Sequence, residues 1–237
     1  LLVEVAGISP GIAGEEHLRR LEQALDALAP DTGTNPDLYT WTPLAETHYE
    51  ISRYLRGMDS FYNPAQATYS SPLQWRCQPS AALLITDGLP TYDSQFPTSG
   101  DQDPAGLLSA SGGHFGLPDW DGNADNDANG EPLHQPGSTF YLDDVAAFAR
   151  DLDLRSGGQD AAGASWDDPL YPRQTVRTHV LGFAIDDERL RAAARAGGGL
   201  YRTVDNAADL GLALTRMVTH PAEPRLIFSQ RADLRLP

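Results

Sequence analysis

Apolar positions along the chain alternate between two spacings, and the changes divide it into strands and helices. Leu1–Ala6 (LLVEVA) reads as a short strand. From Glu15 to Ala29, Leu18, Leu21, Leu25 and Leu28 recur at helical spacing until Pro30 stops the helix. A second helix is expected from Pro43 to Leu55, with Leu44, Thr47, Ile51 and Leu55 on one face. Thr42 before Pro43 suits its start, because threonine can cap and proline fits the first helical position. Ala81–Thr86 (AALLIT) shows no alternation, the pattern of a strand buried on both faces of a parallel sheet. It ends at Asp87-Gly88, and residues 88–138, rich in Gly, Pro, Asp and Ser, read as a long loop insertion.

The second half continues the alternation. Ser138 to Leu154 reads as a helix with Leu142, Val145, Phe148 and Leu152 inward and Asp143–Asp144 near its positive end. Residues 156–172 read as a loop and Val176–Ile185 as a strand. Asp186 is expected to cap a helix through Ala196 that closes with Gly197-Gly198-Gly199. Tyr201–Val204 follows as a strand, then a helix from Asn206 to Val218 carrying Leu210, Leu214 and Met217. From Thr219 the tail has three prolines and no helical pattern, so 219–237 reads as an exit linker. Strands with continuous apolar runs alternating with helices predict an open, mostly parallel α/β sheet with helices on both faces. In such sheets ligands sit beyond the carboxyl ends of the strands, where Asp87 and Asp186 fall.

Composition narrows the chemistry. A length of 237 residues and a hydrophobic fraction of 41% suit one domain with an insertion. The net charge of −16 disfavours nucleic acid and anionic membrane surfaces as partners. No apolar stretch approaches the roughly 18 residues of a membrane span. All 17 Lys+Arg residues are arginine, so mechanisms built on a phosphate-loop lysine, a Schiff base or a Ser-x-x-Lys pair are excluded. The single cysteine, Cys77, excludes a disulfide within the chain and a cysteine-built metal site. It precedes the buried strand and is expected to be a free, buried thiol. The chain opens at Leu1 without a leader pattern and reads as a piece of a longer protein.

Three groups could carry chemistry. Gly7-Ile8-Ser9-Pro10-Gly11 fits the nucleophile-elbow pattern of a hydrolase. The residue after Ser9 is Pro10, however, which lacks the N–H that would hold an oxyanion, so a plain turn is the better reading. Thr42 and Asp87 both fall on the same rim of the expected sheet and offer hard oxygens suited to Mg²⁺ or Ca²⁺. Their alternatives are a helix cap and an Asp-Gly turn. Asp125, Asp127 and Asn129, followed by Gly130, match the opening of a calcium loop, with Asp119, Asp121 and Glu131 nearby. Its twelfth position is Pro136 rather than a bidentate Glu, so a regular EF-hand is excluded and a looser Ca²⁺ loop competes with an acidic turn. The six histidines show no paired ligand spacing, and His179, inside a strand, reads as a satisfied sheet residue.

Four segments in one order, Thr42–Gly57 (TPLAETHYEISRYLRG), Cys77–Asp93 (CQPSAALLITDGLPTYD), Tyr141–Arg155 (YLDDVAAFARDLDLR) and Thr178–Leu214, resemble the von Willebrand factor A-type domain of type IV pilus tip-associated adhesins, the PilY-type biogenesis proteins. The resemblance implies a non-enzymatic, exported module of the bacterial surface or pilus. It further implies pilus components and host or surface ligands as partners, and a β-propeller beyond Pro237. It matches Thr42 and Asp87 to the Thr and Asp of a metal-ion-dependent adhesion site. That site also uses an Asp-x-Ser-x-Ser loop after the first strand. No Asp in this chain is followed two residues later by Ser. By the resemblance Leu1–Gly7 is a later strand, the domain over 1–218 is incomplete at its start, and the principal loop of the metal site would lie upstream of Leu1; the alternative is that the motif has been lost. A structural spacer with a vestigial rim is the alternative reading. The family counterpart of Cys77 commonly has a cysteine partner, which this chain lacks.

Overall fold

The computed structural model describes residues 42–65, 68–91, 93, 95–96, 120 and 139–219, together with the helical residues Glu16, Arg19, Arg20 and Gln23. The expected strand Leu1–Ala6, Ser9, most of the 88–138 insertion with Asp125, Asp127 and Asn129, and the tail after Thr219 lie outside the described residues. Within them, the elements run α1 (Leu44–Arg56), β1 (Ser80–Thr86), α2 (Tyr141–Asp151), β2 (Val176–Phe183), α3 (Glu188–Ala196), β3 (Gly198–Val204) and α4 (Ala207–Thr219).

The strands form an open sheet in the order β1-β2-β3, every neighbour parallel. Ser80 to Thr86 pair with Val176 to Gly182, and Val180 pairs with Tyr201. Helices cover both faces. On one, Ala82 and Leu84 of β1 and Val176 and Val180 of β2 share a core with α1, α2 and α3. On the other, Leu181 and Val204 pack on Ala213 and Met217 of α4. This is the Rossmann-like α/β architecture that the alternation predicts.

Tyr49 of α1 is fully buried and organises an aromatic layer. The rings of Phe61, Phe96 and Phe148 lie 6.0, 6.0 and 6.1 Å from its own, the first two edge-on. Trp120, from the insertion, is also fully buried; it meets Phe148 edge-on at 5.1 Å and donates Nε1–H to Asp151 Oδ2 at 3.1 Å. The insertion is therefore tied at this residue to α2.

Three expectations need correction. Ala81–Thr86 is buried on one face only, because Ala81 and Ile85 are exposed, Ile85 by 50%. Among the described residues α4 covers β2 and β3, and of β1 only Leu83 packs against that cluster. Cys77 is exposed, since Gln78 N–H closes a surface turn onto the Trp75 carbonyl at 2.9 Å before the strand begins. Asp187, not Asp186, caps α3, accepting the Arg189 N–H at 2.9 Å.

The glycine run 197–199 does more than end a helix. Gly197 terminates α3, and Gly198 and Gly199 open β3 with no intervening loop. A Cβ on Gly197 would lie 2.4 Å from Thr178 Cβ, and one on Gly199 only 1.9 Å from the Thr178 carbonyl oxygen. Gly199→Ala must push β3 off β2 and should cost about 3 kcal/mol or more. Gly211→Ala, on an exposed part of α4 with nothing within 4 Å, should add roughly 0.5–1 kcal/mol through helix propensity. Urea denaturation of the two variants beside the parent chain measures both.

Candidate metal-binding rim

The rim is built from the carboxyl end of β1. Thr86, buried as the last residue of the strand, turns its hydroxyl back on the next turn: Oγ1 accepts the Gly88 N–H at 3.1 Å and donates to the Gly88 carbonyl at 2.9 Å. This local bonding sets the Asp87-Gly88 turn without using the Asp87 side chain, which is exposed. A Cβ placed on Gly88 would lie 3.3 Å from Thr42 Oγ1. Thr42 and the Asp87-Gly88 turn, 45 positions apart in sequence, therefore meet at one lip of the sheet.

The contact is held by the chain that follows. Thr42 N–H donates to Thr91 Oγ1 at 2.9 Å, and Thr91 N–H donates back to the Thr42 carbonyl at 3.0 Å. Asp93, with no exposed surface, accepts the Ala45 N–H at 2.8 Å through Oδ2 and the Thr139 hydroxyl through Oδ1. Gln95 N–H reaches Glu46 Oε1 at 3.0 Å. The first turn of α1 and Thr42 ahead of it are thus stapled to Thr91, Asp93 and Gln95.

One expectation changes here. The Thr42 hydroxyl is not the cap of α1: the helix begins at Leu44 with Pro43 at the cap position and no side-chain cap from its own segment. The side chain that does accept one of its first amides is Asp93, which local sequence reasoning did not single out. Its signal was a Thr-x-Asp pattern after the Asp-Gly turn, but nothing within a helical turn of it indicates its partner.

Asp186, at the end of β2 on the same rim, is already engaged. Its Oδ1 accepts from the Tyr201 hydroxyl at 3.0 Å and pairs with Arg191. The Arg191 guanidinium, assisted by the Tyr201 hydroxyl, holds this carboxyl below the usual range. His179 accepts the Leu200 N–H on Nδ1 at 3.0 Å, as a satisfied sheet residue does.

Two hard oxygens suit a divalent ion in kind, but fall short of the about six that Mg²⁺ or Ca²⁺ prefers. Among the described residues no three His, Cys, Asp or Glu side chains gather into a metal-holding group. No helix among them is long and apolar enough to cross a membrane. Compared with known protein families, curated proteins and solved structures, the chain matches none of them.

Two buried groups beneath the rim titrate in opposite senses. Burial pushes Asp93 up from 3.8 to about 6, against hydrogen bonds from Thr139 and Ala45 that favour its charge. Its contribution to stability is fully present below pH 3.8 and is lost as pH rises through 6. Burial pushes His48, whose Nε2 lies 2.7 Å from Thr178 Oγ1, down from 6.5 to about 4. Its contribution is present above pH 6.5 and is lost as pH falls through 4. Each amounts to about 3 kcal/mol at its limit, so the two nearly cancel between pH 4 and 6. Asp93→Asn should remove one arm: the variant gains stability relative to the parent at pH 7 and loses it steadily on acidification from 6.5 to 4. Urea midpoints over this range test the sign.

Proposed function

We propose that the chain is a von Willebrand factor A-type adhesion module of a type IV pilus tip-associated surface protein, non-enzymatic, with Thr42 and Asp87 contributing to a divalent-cation site. The observation that carries this reading is the meeting of the Thr42 hydroxyl with Gly88, beside Asp87, at the carboxyl end of a parallel strand. The open parallel sheet and the order of the four resembling segments support it. In this reading a bound Mg²⁺ or Ca²⁺ would draw an acidic side chain of a host or surface ligand to complete its coordination. The residues' own part is to hold two oxygens at the rim: the Thr86 hydroxyl shapes the turn under Asp87, and Thr91 and Asp93 fix the backbone of Thr42 and Ala45.

A spacer or assembly module with a vestigial rim is the second reading. It is favoured by the shortage of oxygens, since Asp186 is committed to Arg191 and Tyr201. The Ca²⁺ loop at Asp125, Asp127 and Asn129 belongs to the adhesion reading as a separate, insertion-borne site.

Two oxygens predict weak binding. Isothermal titration of the chain with Mg²⁺ should show no site tighter than about millimolar, because water must fill most of the shell. Mn²⁺ should nonetheless broaden the amide signals of Thr42 and Gly88 selectively, and Asp87→Ala should abolish that. Uniform broadening, or none, favours the spacer. A micromolar Mg²⁺ site lost in Asp87→Ala would instead mean that the rim is complete within this chain.

A further inference from the structure

We infer that Asp93 is a positioning residue for the rim: by capping α1 from a distant segment, it displaces Thr42 from that task and leaves the Thr42 hydroxyl facing Gly88. What the released hydroxyl is for rests on the adhesion reading above. The exchange of caps rests on hydrogen bonds alone.

A threonine that starts a helix bonds the N–H of the second or third helical residue. With Thr42 in that role and Pro43 first, those amides belong to Leu44 and Ala45. Both are already taken. Leu44 N–H donates to the Thr42 carbonyl at 2.8 Å, and Ala45 N–H donates to Asp93 Oδ2 at 2.8 Å. The Thr42 backbone is also held on both sides, its N–H by Thr91 Oγ1 and its carbonyl by the Thr91 N–H. The side chain, relieved of capping, lies against Gly88.

The arrangement is more elaborate than a cap requires. A local Thr-Pro start needs no buried charge, whereas Asp93 is completely enclosed and burying a carboxylate is costly unless it is well bonded. Its hydrogen bonds offset only part of that cost, and they tie three segments together. Its second oxygen takes the Thr139 hydroxyl, and Thr139 N–H donates to the Pro90 carbonyl at 3.1 Å, which joins the chain before α2 to the turn after β1. Removing the carboxylate frees the Ala45 N–H, and the Thr42 hydroxyl, three residues before it, is the acceptor that a threonine-capped helix start would offer that amide. Capping and rim duty are therefore competing uses of one oxygen, and Asp93 decides between them.

The test is amide hydrogen exchange at Ala45 together with Mn²⁺ broadening at Gly88, in the parent, Thr42→Val, Asp93→Asn, Asp93→Ala and the Thr42→Val/Asp93→Ala pair. In the parent background Thr42→Val should leave Ala45 exchange within about twofold, because its hydroxyl caps nothing. In the Asp93→Ala background the same change should accelerate it about fivefold, the loss of a threonine cap. Asp93→Asn keeps an oxygen for the Ala45 amide and should behave like the parent. Broadening at Gly88 should persist in Asp93→Asn and vanish in Asp93→Ala. The inference is overturned if Thr42→Val alone accelerates Ala45 exchange fivefold, or if the double variant exchanges no faster than Asp93→Ala. If Asp93→Ala does not fold, the Thr42→Val result in the parent background decides by itself. An exchange pattern as expected with no selective broadening in any variant upholds the cap exchange and sinks the metal reading.

Discussion

Thr178, fully buried in the middle strand, is approached from three directions, and the layering of the domain depends on that crowding. Its hydroxyl meets His48 of α1 at 2.7 Å across the sheet–helix interface. Its N–H donates to the Gly197 carbonyl at 3.2 Å, and the Gly197–Gly199 backbone passes where no Cβ fits. One residue thus fixes how α1 lies over β2 and how closely the α3–β3 junction approaches. A buried hydroxyl and a buried imidazole would each be costly alone. Paired, they specify a single arrangement of α1 on the sheet, and the neutral imidazole needs no counter-ion.

From that fixed interface the rim follows geometrically. The first turn of α1 lies beside the carboxyl end of β1, and the chain leaving β1 returns over it through Pro90, Thr91 and Asp93. The same stretch then adds Phe96 to the aromatic layer around Tyr49 and Tyr141. Further along, Trp120 inserts its indole against Phe148 and Asp151, so a polar insertion is anchored by apolar contacts to α2. Polar clamps at the rim and aromatic contacts beneath it are parts of one packing unit. With a net charge of −16 on the chain, any cation drawn to this end gains from the field of the whole surface, an effect that salt weakens.

Away from the rim, the loop between α2 and β2 shows how order arises without regular secondary structure. Asp160 accepts the N–H groups of Ala162 and Ala164 on one oxygen and is bonded by Arg76 on the other; Arg76 also reaches Asp168. Backbone donors, that of Ala164 first, hold the Asp160 carboxyl below its usual range. Gln174 closes the loop by donating to the Trp166 and Tyr171 carbonyls. Residues 156–172 read as loop from composition, and side chains of Asp160 and Gln174 take up backbone groups there that no helix or strand pairs.

The sequence alone determined the alternation of elements and the parallel sheet, since the helical spacing of Leu142, Val145, Phe148 and Leu152 and the apolar runs of β1 and β2 are local signals. It also placed Thr42 and Asp87 at strand and helix ends, which in such a sheet share one side. Only the tertiary structure decided which face of β1 is covered, that Cys77 stays at the surface, that Asp187 and not Asp186 caps α3, and that Asp93 rather than Thr42 serves the start of α1. The physical reason is shared by the face of β1, the cap of α1 and Asp186, which Tyr201 of β3 engages, whereas Cys77 follows a local turn between Trp75 and Gln78. Propensity and periodicity act within a turn or two of chain, whereas burial and hydrogen-bond ownership are settled by whichever group arrives from elsewhere. Ala45 and Asp93 are 48 residues apart, and no local pattern encodes which acceptor an amide will meet.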